Sequence, residues 1–487
     1  MSRKVGGGVR VHRVEEPYDV AVIGAGVVGC ATALQLGRRG VRVVLLDAAE
    51  DVGDGTSKAN TAILHTGFDA TPGTLEARLV REGYALLGDY AGRVGIPVEP
   101  VGALLVAWDD EQLAMLPGLL ARSIENGYLD AALVDADEVY RLEPRLGPGA
   151  LGGMTVPGES IICPWTTTLA FATQALSLGV GLRLQSRVTS IESGAGQRVG
   201  QSGLLHRLSV ERAGTGAPEV VTARFVVNAA GLHADLVDRW MGGDGFTIVP
   251  RRGELVVFDK LARSLVHHIV LPVPSAKGKG VLVAPTVYGN VMLGPTAEDV
   301  DDPTATGSTE AGLEFLRGHG RRILPELLAE EVTTIYAGLR AATEHKDYQL
   351  RTDPDRGYVC VGGIRSTGLT ASLAIGRHVT ELLARAGLAL GEAREPEPLT
   401  MPMLGEAFAR PYQRPDLIAT DPAYGQIVCH CERVTAGEIR DALASPIPPS
   451  TVEGLSRRTR ARLGRCQGFY CGAEVLELVG PALSVGR

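Results

Sequence analysis

The chain is most sharply bounded by what it does not contain. Within its 487 residues, no stretch of about eighteen apolar residues is free of charge or Gly-rich turns, which argues against a spanning helix. Its opening segment, MSRKVGGGVRVHRVEE, has basic character but no apolar h-region, and reads as a flexible tail rather than an export signal. Positive charge is not in excess: 48 Lys and Arg against 56 Asp and Glu leave a net −8, so nucleic acid is a poor partner. One basic run, SRRTRARLGR (456–465), needs a local explanation. A disulfide framework is missing too. The seven cysteines are an odd count; Cys30, Cys163 and Cys360 sit among apolar residues as reduced core thiols, and the pattern points to the cytoplasm.

What is present describes a globular protein of several domains. Apolar residues make up 45% and charged residues 21%, and the length exceeds what one core usually supports. The 62 glycines suit tight turns and close backbone approaches to a ligand.

YDVAVIGAGVVGCATALQLGRRGVRVVLLDAAE is the most informative early stretch. DVAVIG reads as a buried strand, VVGCATALQLGRRG as a helix stopping at Gly40, and VRVVLLD as a second buried strand. Between the first strand and the helix lies Gly24-x-Gly26-x-x-Gly29. The first glycine makes the turn, the second admits a pyrophosphate to the backbone, and the third lets helix pack on strand. Asp47, eighteen residues past Gly29, ends the second strand where it can accept ribose hydroxyls. Strand, helix, strand and terminal acid together specify a dinucleotide site. A bare Gly-rich turn would not explain the acid.

The following loop, GDGTSKANTAILHTGFDATPGTLEARLVREG (53–83), is rich in small polar residues whose N–H groups can line a flat heterocycle. From here the sequence resembles the FAD-dependent glycerol-3-phosphate oxidase/dehydrogenase group of the D-amino-acid-oxidase-like flavoproteins, whose members carry a TS…N…I-H-G loop along the flavin. The resemblance implies FAD rather than NAD, with Thr56, Ser57, Asn60, Ala62 and Ile63 as contacts. It also implies adenine contact through the backbone of Val188, in a segment (181–193) that reads as two short strands. A second contact motif falls at Asn228-Ala229-Ala230-Gly231, giving Ala229 and Gly231. A third comes from YVCVGGIRSTGLTASLAIGRHVTELLA (358–384), with Gly363, Arg365, Ser366, Gly368, Leu369 and Thr370. There a helix beginning near Leu369 would point its N-terminus at an electron-rich group of the flavin.

The implied architecture is α/β: a Rossmann-like FAD-binding domain of D-amino-acid-oxidase type from 17–95, 161–250 and 341–390, interleaved with an antiparallel-sheet substrate domain from 96–160 and 251–340. PRRGELVVFDK (250–260) and SAKGKGVLVAPTVYGNVMLGPTAEDVDD (275–302) read as strands of that lobe. By analogy His65 is the base that takes the hydroxyl proton, which suits the titration range of imidazole. Arg340 and Lys279 are the implied anion clamps, and a guanidinium can hold phosphate or carboxylate bidentately. Lys277 and Lys279 lie in a Gly-punctuated loop that would equally suit solvated side chains. Where the family usually continues GLRP, this chain has GLRAATEHKDY, so Glu344, His345 and Lys346 would reshape the pocket. The substrate expected is small and anionic, glycerol 3-phosphate by resemblance; a 2-hydroxyacid, an opine or proline is the alternative. A non-catalytic electron relay is the reading from another class.

Residues 391–424 are Pro- and Glu-rich and read as a linker on the surface. The last segment, 425–487, holds four of the seven cysteines: Cys429-x-Cys431, 34 residues, then Cys466-x4-Cys471. Four thiolates suit a [2Fe–2S] cluster; zinc is the rival, although its pairs are usually C-x2-C. IVCHCERVTAGEI and TRARLGRCQGFYCG resemble the bacterioferritin-associated-ferredoxin-like [2Fe–2S] module, a small α-rich domain fused to flavoproteins in anaerobic glycerol-3-phosphate dehydrogenases and in opine or proline dehydrogenase subunits. It implies electron exit to a protein or quinone and hetero-oligomeric partners, with membrane contact only through a partner. Arg457, Arg458, Arg460 and Arg462 are then expected beside the cluster, raising its potential.

Overall fold

A computed structural model of the protein describes residues 16–194, 204–214, 218–274, 280–480 and 483. Its first sheet is built around β1 (Tyr18–Ile23), followed by α1 (Val27–Gly37) and β2 (Val43–Leu46). β1 is parallel to β2 on one side and to the strand Glu219–Asn228 on the other, with Ile23 opposite both Leu46 and Asn228. A strand flanked on both edges and covered on both faces must be apolar throughout, which is why β1 and β2 read as continuous hydrophobic runs. The parallel ladder extends to Gly181–Arg183 beyond β2 and to Tyr358–Gly362 beyond Glu219–Asn228. Ser186–Ser193, His206–Arg212 and Gln349–Asp353 add antiparallel strands.

Two glycines set the first turn. Gly24 has φ +105°, and a Cβ there would lie 2.3 Å from the carbonyl oxygen of Ala229. A Cβ on Gly29 would lie 1.8 Å from the Gly24 carbonyl oxygen, so α1 can start against β1 only without it. The long helix α2 (Leu75–Val94) is capped by Thr74, whose hydroxyl accepts from the Ala77 N–H.

The second sheet is mostly antiparallel. Its long members are β3 (Val249–Phe258) and β4 (Val332–Ala342), paired from Val249↔Ala342 to Phe258↔Val332. Continuing from β3, the order runs through Val291–Gly294, Leu282–Pro285, Ile269–Pro272, Ala103–Ala107 and Gly152–Val156 to Ala132–Asp135. Alternation along these strands divides the side chains between two cores. Val256, Phe258, Val283 and Leu293 pack with Leu316 and Ile323 of the helix Glu310–Ile323. Leu105, Met154, Leu282 and Ala284 on the other face join the core of the first sheet. α3 (Gly368–Arg385) packs against α1 and α2, with Leu373, Ile375 and Val379 in that same core.

The connection from 391 to 424 is not confined to the surface. Met401 and Leu404 are buried in the main core, Arg410 is buried in an ion pair with Glu438 at 2.9 Å, and Pro415–Thr420 forms a short helix. Sparse, aperiodic anchors give no helical or strand signal, so composition alone reads this stretch as a loose linker. The C-terminal module follows: a ladder of Ile427–Cys429 with Val434–Thr435, a helix Ala436–Leu443 with a Thr435/Glu438 capping box, α4 (Val452–Thr459) and a helix Gly472–Val479. Val428, Ile439, Leu455 and Val475 form its core. Among the described residues no helix is long and apolar enough to cross a membrane.

Candidate functional site

A cavity of about 440 Å³ runs along the carboxyl ends of the parallel strands. Gly24, Gly26 and Asp47 line one end, Thr56, Ser57, Asn60, Ala62 and Ile63 the middle, and Gly363, Arg365, Ser366, Gly368 and Leu369 the other end, with Ala229 and Gly231 along the side. Three segments far apart in sequence meet here because all follow strands of one parallel sheet. Asp47 is fixed by two backbone donors, Ala25 N–H at 2.6 Å and Ala49 N–H at 2.7 Å. Burial raises its pKa, and those two N–H groups oppose the rise. Ser57 accepts from the Val27 N–H at 2.9 Å, and neither α1 nor α3 starts with a side-chain cap. Two helix starts whose N-cap residues make no side-chain bond, and a fixed carboxylate, form a fitting donor and acceptor set for a dinucleotide with a pyrophosphate.

The 56–62 loop is held from the second lobe. Thr56 Oγ1 donates to the Leu339 carbonyl at 2.8 Å, the Tyr336 hydroxyl donates to the Asn60 carbonyl at 3.0 Å, and Gly338 lies directly against the Ala59 carbonyl. β4 therefore positions the cofactor loop. Thr370 does not line the cavity; its hydroxyl accepts from the His65 N–H at 3.0 Å and so supports the loop from behind. Val188 is also off the lining. It packs in the core beneath, and its neighbour Arg187 faces the cavity, because successive side chains on a strand alternate.

His65 follows the short strand Ile63–Leu64, and its Nδ1 lies 3.0 Å from Glu159. Glu159 is 1% exposed and also accepts from the Thr66 N–H at 2.7 Å and the Thr66 hydroxyl at 2.9 Å. Sequence reasoning misses Glu159; its only signal is a charge set between apolar runs in VPGESIIC. Arg340 projects from β4 to the same side of the sheet as Tyr336 and Gly338, four and two residues away. It donates to the Thr296 carbonyl at 3.1 Å and has no carboxylate partner among the described residues. Burial, and then the neighbouring Arg251, depress its pKa. Lys277 and Lys279 lie outside the described residues. Glu344 and His345 turn away from the cavity: Glu344 accepts from the Thr247 N–H and His345 Nε2 meets the Gly245 carbonyl, while Lys346 offers its carbonyl to Arg365. Glu344 and His345 tie down a neighbouring loop, and Lys346 acts on the pocket only through its backbone, by holding the cavity-lining Arg365.

In the C-terminal module the four thiols come together as two pairs, Cys431 with Cys466 and Cys429 with Cys471. No set of three or more His, Cys, Asp or Glu side chains among the described residues converges on one point as a single-metal site would require. Paired thiols fit two metal centres better than one tetrahedral zinc. Burial and then Cys429 push Cys471 up to about 12. Burial also opposes ionisation of Cys466, yet the Tyr470 N–H, the Cys431 thiol and the Gly468 and Phe469 N–H groups bring it below the ordinary thiol value. Such N–H donors around sulfur suit a thiolate-bound cluster. Phe469 and Tyr470, between two of the cysteines, are 83% and 77% exposed.

Three of the four arginines do something other than face the cluster. Arg458 makes a bidentate pair with Asp51 at 2.6 and 2.8 Å, both side chains buried, and Arg457 bridges Asp51 and Asp54. Arg460 pairs with Glu432 at 3.0 Å and donates to Asn290 of the second lobe. For Arg457 and Arg458 a carboxylate of the FAD-binding part is the nearer partner, so these two cations are docking contacts; Arg460 stays on Glu432 of its own module and crosses the boundary through Asn290. Arg462 alone stays at the cluster loop, with its N–H on Cys471. A second cavity, about 850 Å³, lies between the 54–62 loop, β4 and this module.

Comparison with known proteins agrees with this geometry. A family model described as FAD dependent oxidoreductase matches residues 19–382, and one described as BFD-like [2Fe-2S] binding domain matches residues 427–480. A glycerol 3-phosphate dehydrogenase of Caloramator mitchellensis is 34% identical over 96% of this chain and 95% of its own length. One subunit of the anaerobic glycerol-3-phosphate dehydrogenase of Escherichia coli K12 is 24% identical over 96% of this chain and 89% of its own. The solved structure of dithionite-reduced L-alpha-glycerophosphate oxidase from Mycoplasma pneumoniae with FAD bound is 31% identical, with a TM-score of 0.69, over 76% of this chain and 95% of that one.

Proposed function

The chain belongs to the FAD dependent oxidoreductase family and ends in a BFD-like [2Fe-2S] binding domain, and on that footing we propose that it oxidises sn-glycerol 3-phosphate to dihydroxyacetone phosphate. The observation that carries the substrate class is Arg340. A half-buried guanidinium without a carboxylate partner among the described residues suits an anion, and a phosphate can engage it bidentately. Bound FAD supplies a two-electron acceptor at the flavin, and the cluster a one-electron outlet.

The side chains do the rest. Glu159 accepts the Nδ1–H of His65, which leaves Nε2 with its lone pair to take the substrate hydroxyl proton. The imidazolium so formed is stabilised by the buried carboxylate at 3.0 Å. Lys279 is a second clamp in this reading, by resemblance alone. Electrons leave from the module edge where Cys431 and Cys466 are half-buried and Phe469 and Tyr470 are exposed, towards an acceptor protein or quinone. The Escherichia coli relative is by name one component of a multi-component dehydrogenase, which supports partner chains here. The three cysteines outside the module, Cys30, Cys163 and Cys360, are buried free thiols, in keeping with the cytoplasm.

Anaerobic addition of glycerol 3-phosphate to the FAD-loaded protein is expected to bleach the oxidised flavin band. Bleaching by 2-hydroxyglutarate or proline instead would replace the substrate. A flavin unmoved by any of the three would favour the relay.

A further inference from the structure

We propose that Trp165, Tyr288 and Arg460 form a fixed bridge that carries electrons from the FAD loop to the iron–sulfur module, so that the module works docked and does not swing. The inference rests on the reading above, in which FAD is the entry point and the cluster the exit.

The contacts run without a break from one site to the other. Trp165 Nε1 donates to the carbonyl of Lys58, inside the loop that lines the FAD cavity, at 3.0 Å. The indole lies on the ring of Tyr288, with centroids 5.0 Å apart and planes 20° from parallel. The Arg460 guanidinium covers that ring at 4.3 Å and reaches Trp165 at 5.8 Å. Arg460 then pairs with Glu432, the residue next to Cys431.

Each piece is held. The Tyr288 hydroxyl is 3.0 Å from Cys163 Sγ, and Cys163 begins the helix that carries Trp165. Lys260, from the second lobe, also pairs with Glu432, at 3.1 Å. Arg460 has φ +74°, the left-handed conformation that ends α4, where glycine is the usual occupant. A non-glycine residue kept in that conformation points to a role for its side chain. The Arg458–Asp51 pair fixes the same helix from its other side. The buried Arg458–Asp51 pair and the Lys260–Glu432 pair hold the module at two points of its docking face.

Electrons and protons balance along this route. Oxidation of one secondary alcohol to a ketone releases two electrons and two protons: the hydroxyl proton goes to His65, and the hydride adds two electrons and the second proton to the flavin. The cluster takes electrons singly, so the bridge carries two successive transfers, and the flavin releases its proton to solvent. The acceptor protein or quinone removes each electron from the cluster. Trp165, Tyr288 and Arg460 are not oxidised; they supply packed matter between the two centres.

The test uses the full-length protein loaded with FAD and cluster, mixed anaerobically with glycerol 3-phosphate. Flavin reduction is read by absorbance and cluster reduction by freeze-quench electron paramagnetic resonance. Trp165→Leu should leave flavin reduction at the wild-type rate and slow cluster reduction about tenfold or more, as expected when a positioned contact is lost. Trp165→Phe, which restores a ring, should recover most of the rate. Arg460→Lys keeps the charge beside Glu432 but removes the flat guanidinium, and should show the same split. Unslowed cluster reduction in W165L and R460K, with iron and FAD at wild-type levels, overturns the bridge. Should W165L lose either cofactor, R460K decides alone. If glycerol 3-phosphate leaves the flavin oxidised, the substrate reading fails, and light-driven reduction of the same flavin tests the bridge; a wild-type cluster that then stays oxidised overturns it.

Discussion

The imidazole of His65 has one nitrogen committed to Glu159, and that contact decides which tautomer the ring can use. With Nδ1–H donated to a buried carboxylate, Nε2 is the nitrogen left free to accept a proton in the proposed reaction. His65→Ala is expected to slow flavin reduction by about 100-fold or more while FAD content stays constant. Glu159→Gln keeps the shape but removes the charge that stabilises imidazolium, and a loss of about tenfold is expected. Rapid mixing with substrate measures both; an unaltered rate in H65A would remove His65 from the chemistry. His65 is legible as a candidate because a histidine stands in a loop of small polar residues. Glu159 is not, since it lies 94 positions away and only pairing of Ser160–Ile162 with Ile63–Leu64 brings it to the ring.

The element that most changes the sequence reading is α4. As a basic run it suggests charges arrayed around a cluster; folded, two of its arginines grip the loop after β2. Asp51→Asn should cost docking about 3–5 kcal/mol, because Arg458 would remain buried without its counter-charge. Faster proteolysis between 388 and 426 would report the release, and wild-type resistance would argue against the clamp. The pair also sets a pH limit. Burial opposes ionisation of Asp51, but bonding to Arg458 and then the charges of Arg458 and Arg457 outweigh it and hold its pKa below 3.8. A depressed folded pKa means that the contribution is complete above the ordinary carboxylate value and is lost as pH falls through the lower folded one. Docking should therefore be indifferent to pH from neutrality down to about 4 and weaken only below that. The α1 and α3 helices, by contrast, are readable directly, since each begins at a Gly-rich turn after a buried strand.

At the scale of the whole molecule the 47–58 loop links the two cofactor sites. Asp47 and Ser57 line the FAD cavity, Asp51 holds the module, and Asp54 does both. Sites that share a loop are coupled, and coupling in binding is reciprocal. Arg458→Ala is expected to weaken FAD retention about fivefold or more, and FAD is expected to protect the module's backbone amides from exchange. FAD affinity unchanged in R458A would show that the two sites are independent.

Sequence alone determined the chemistry of the parts. Gly24-x-Gly26-x-x-Gly29 with Asp47 specified a dinucleotide turn, Gly24 and Gly29 standing where the backbone leaves no room for a Cβ. Cys429, Cys431, Cys466 and Cys471 marked a metal module by number and spacing, and the resemblance of the flanking residues implied a [2Fe–2S] cluster rather than zinc. These are local constraints, met within one turn or one loop. What only the tertiary structure decided is the relation between parts: Glu159 behind His65, β4 against the cofactor loop, Arg458 on Asp51, Arg460 over Tyr288 and Trp165. Each joins residues about 90 to 400 positions apart, where periodicity carries no signal and burial settles which charge meets which.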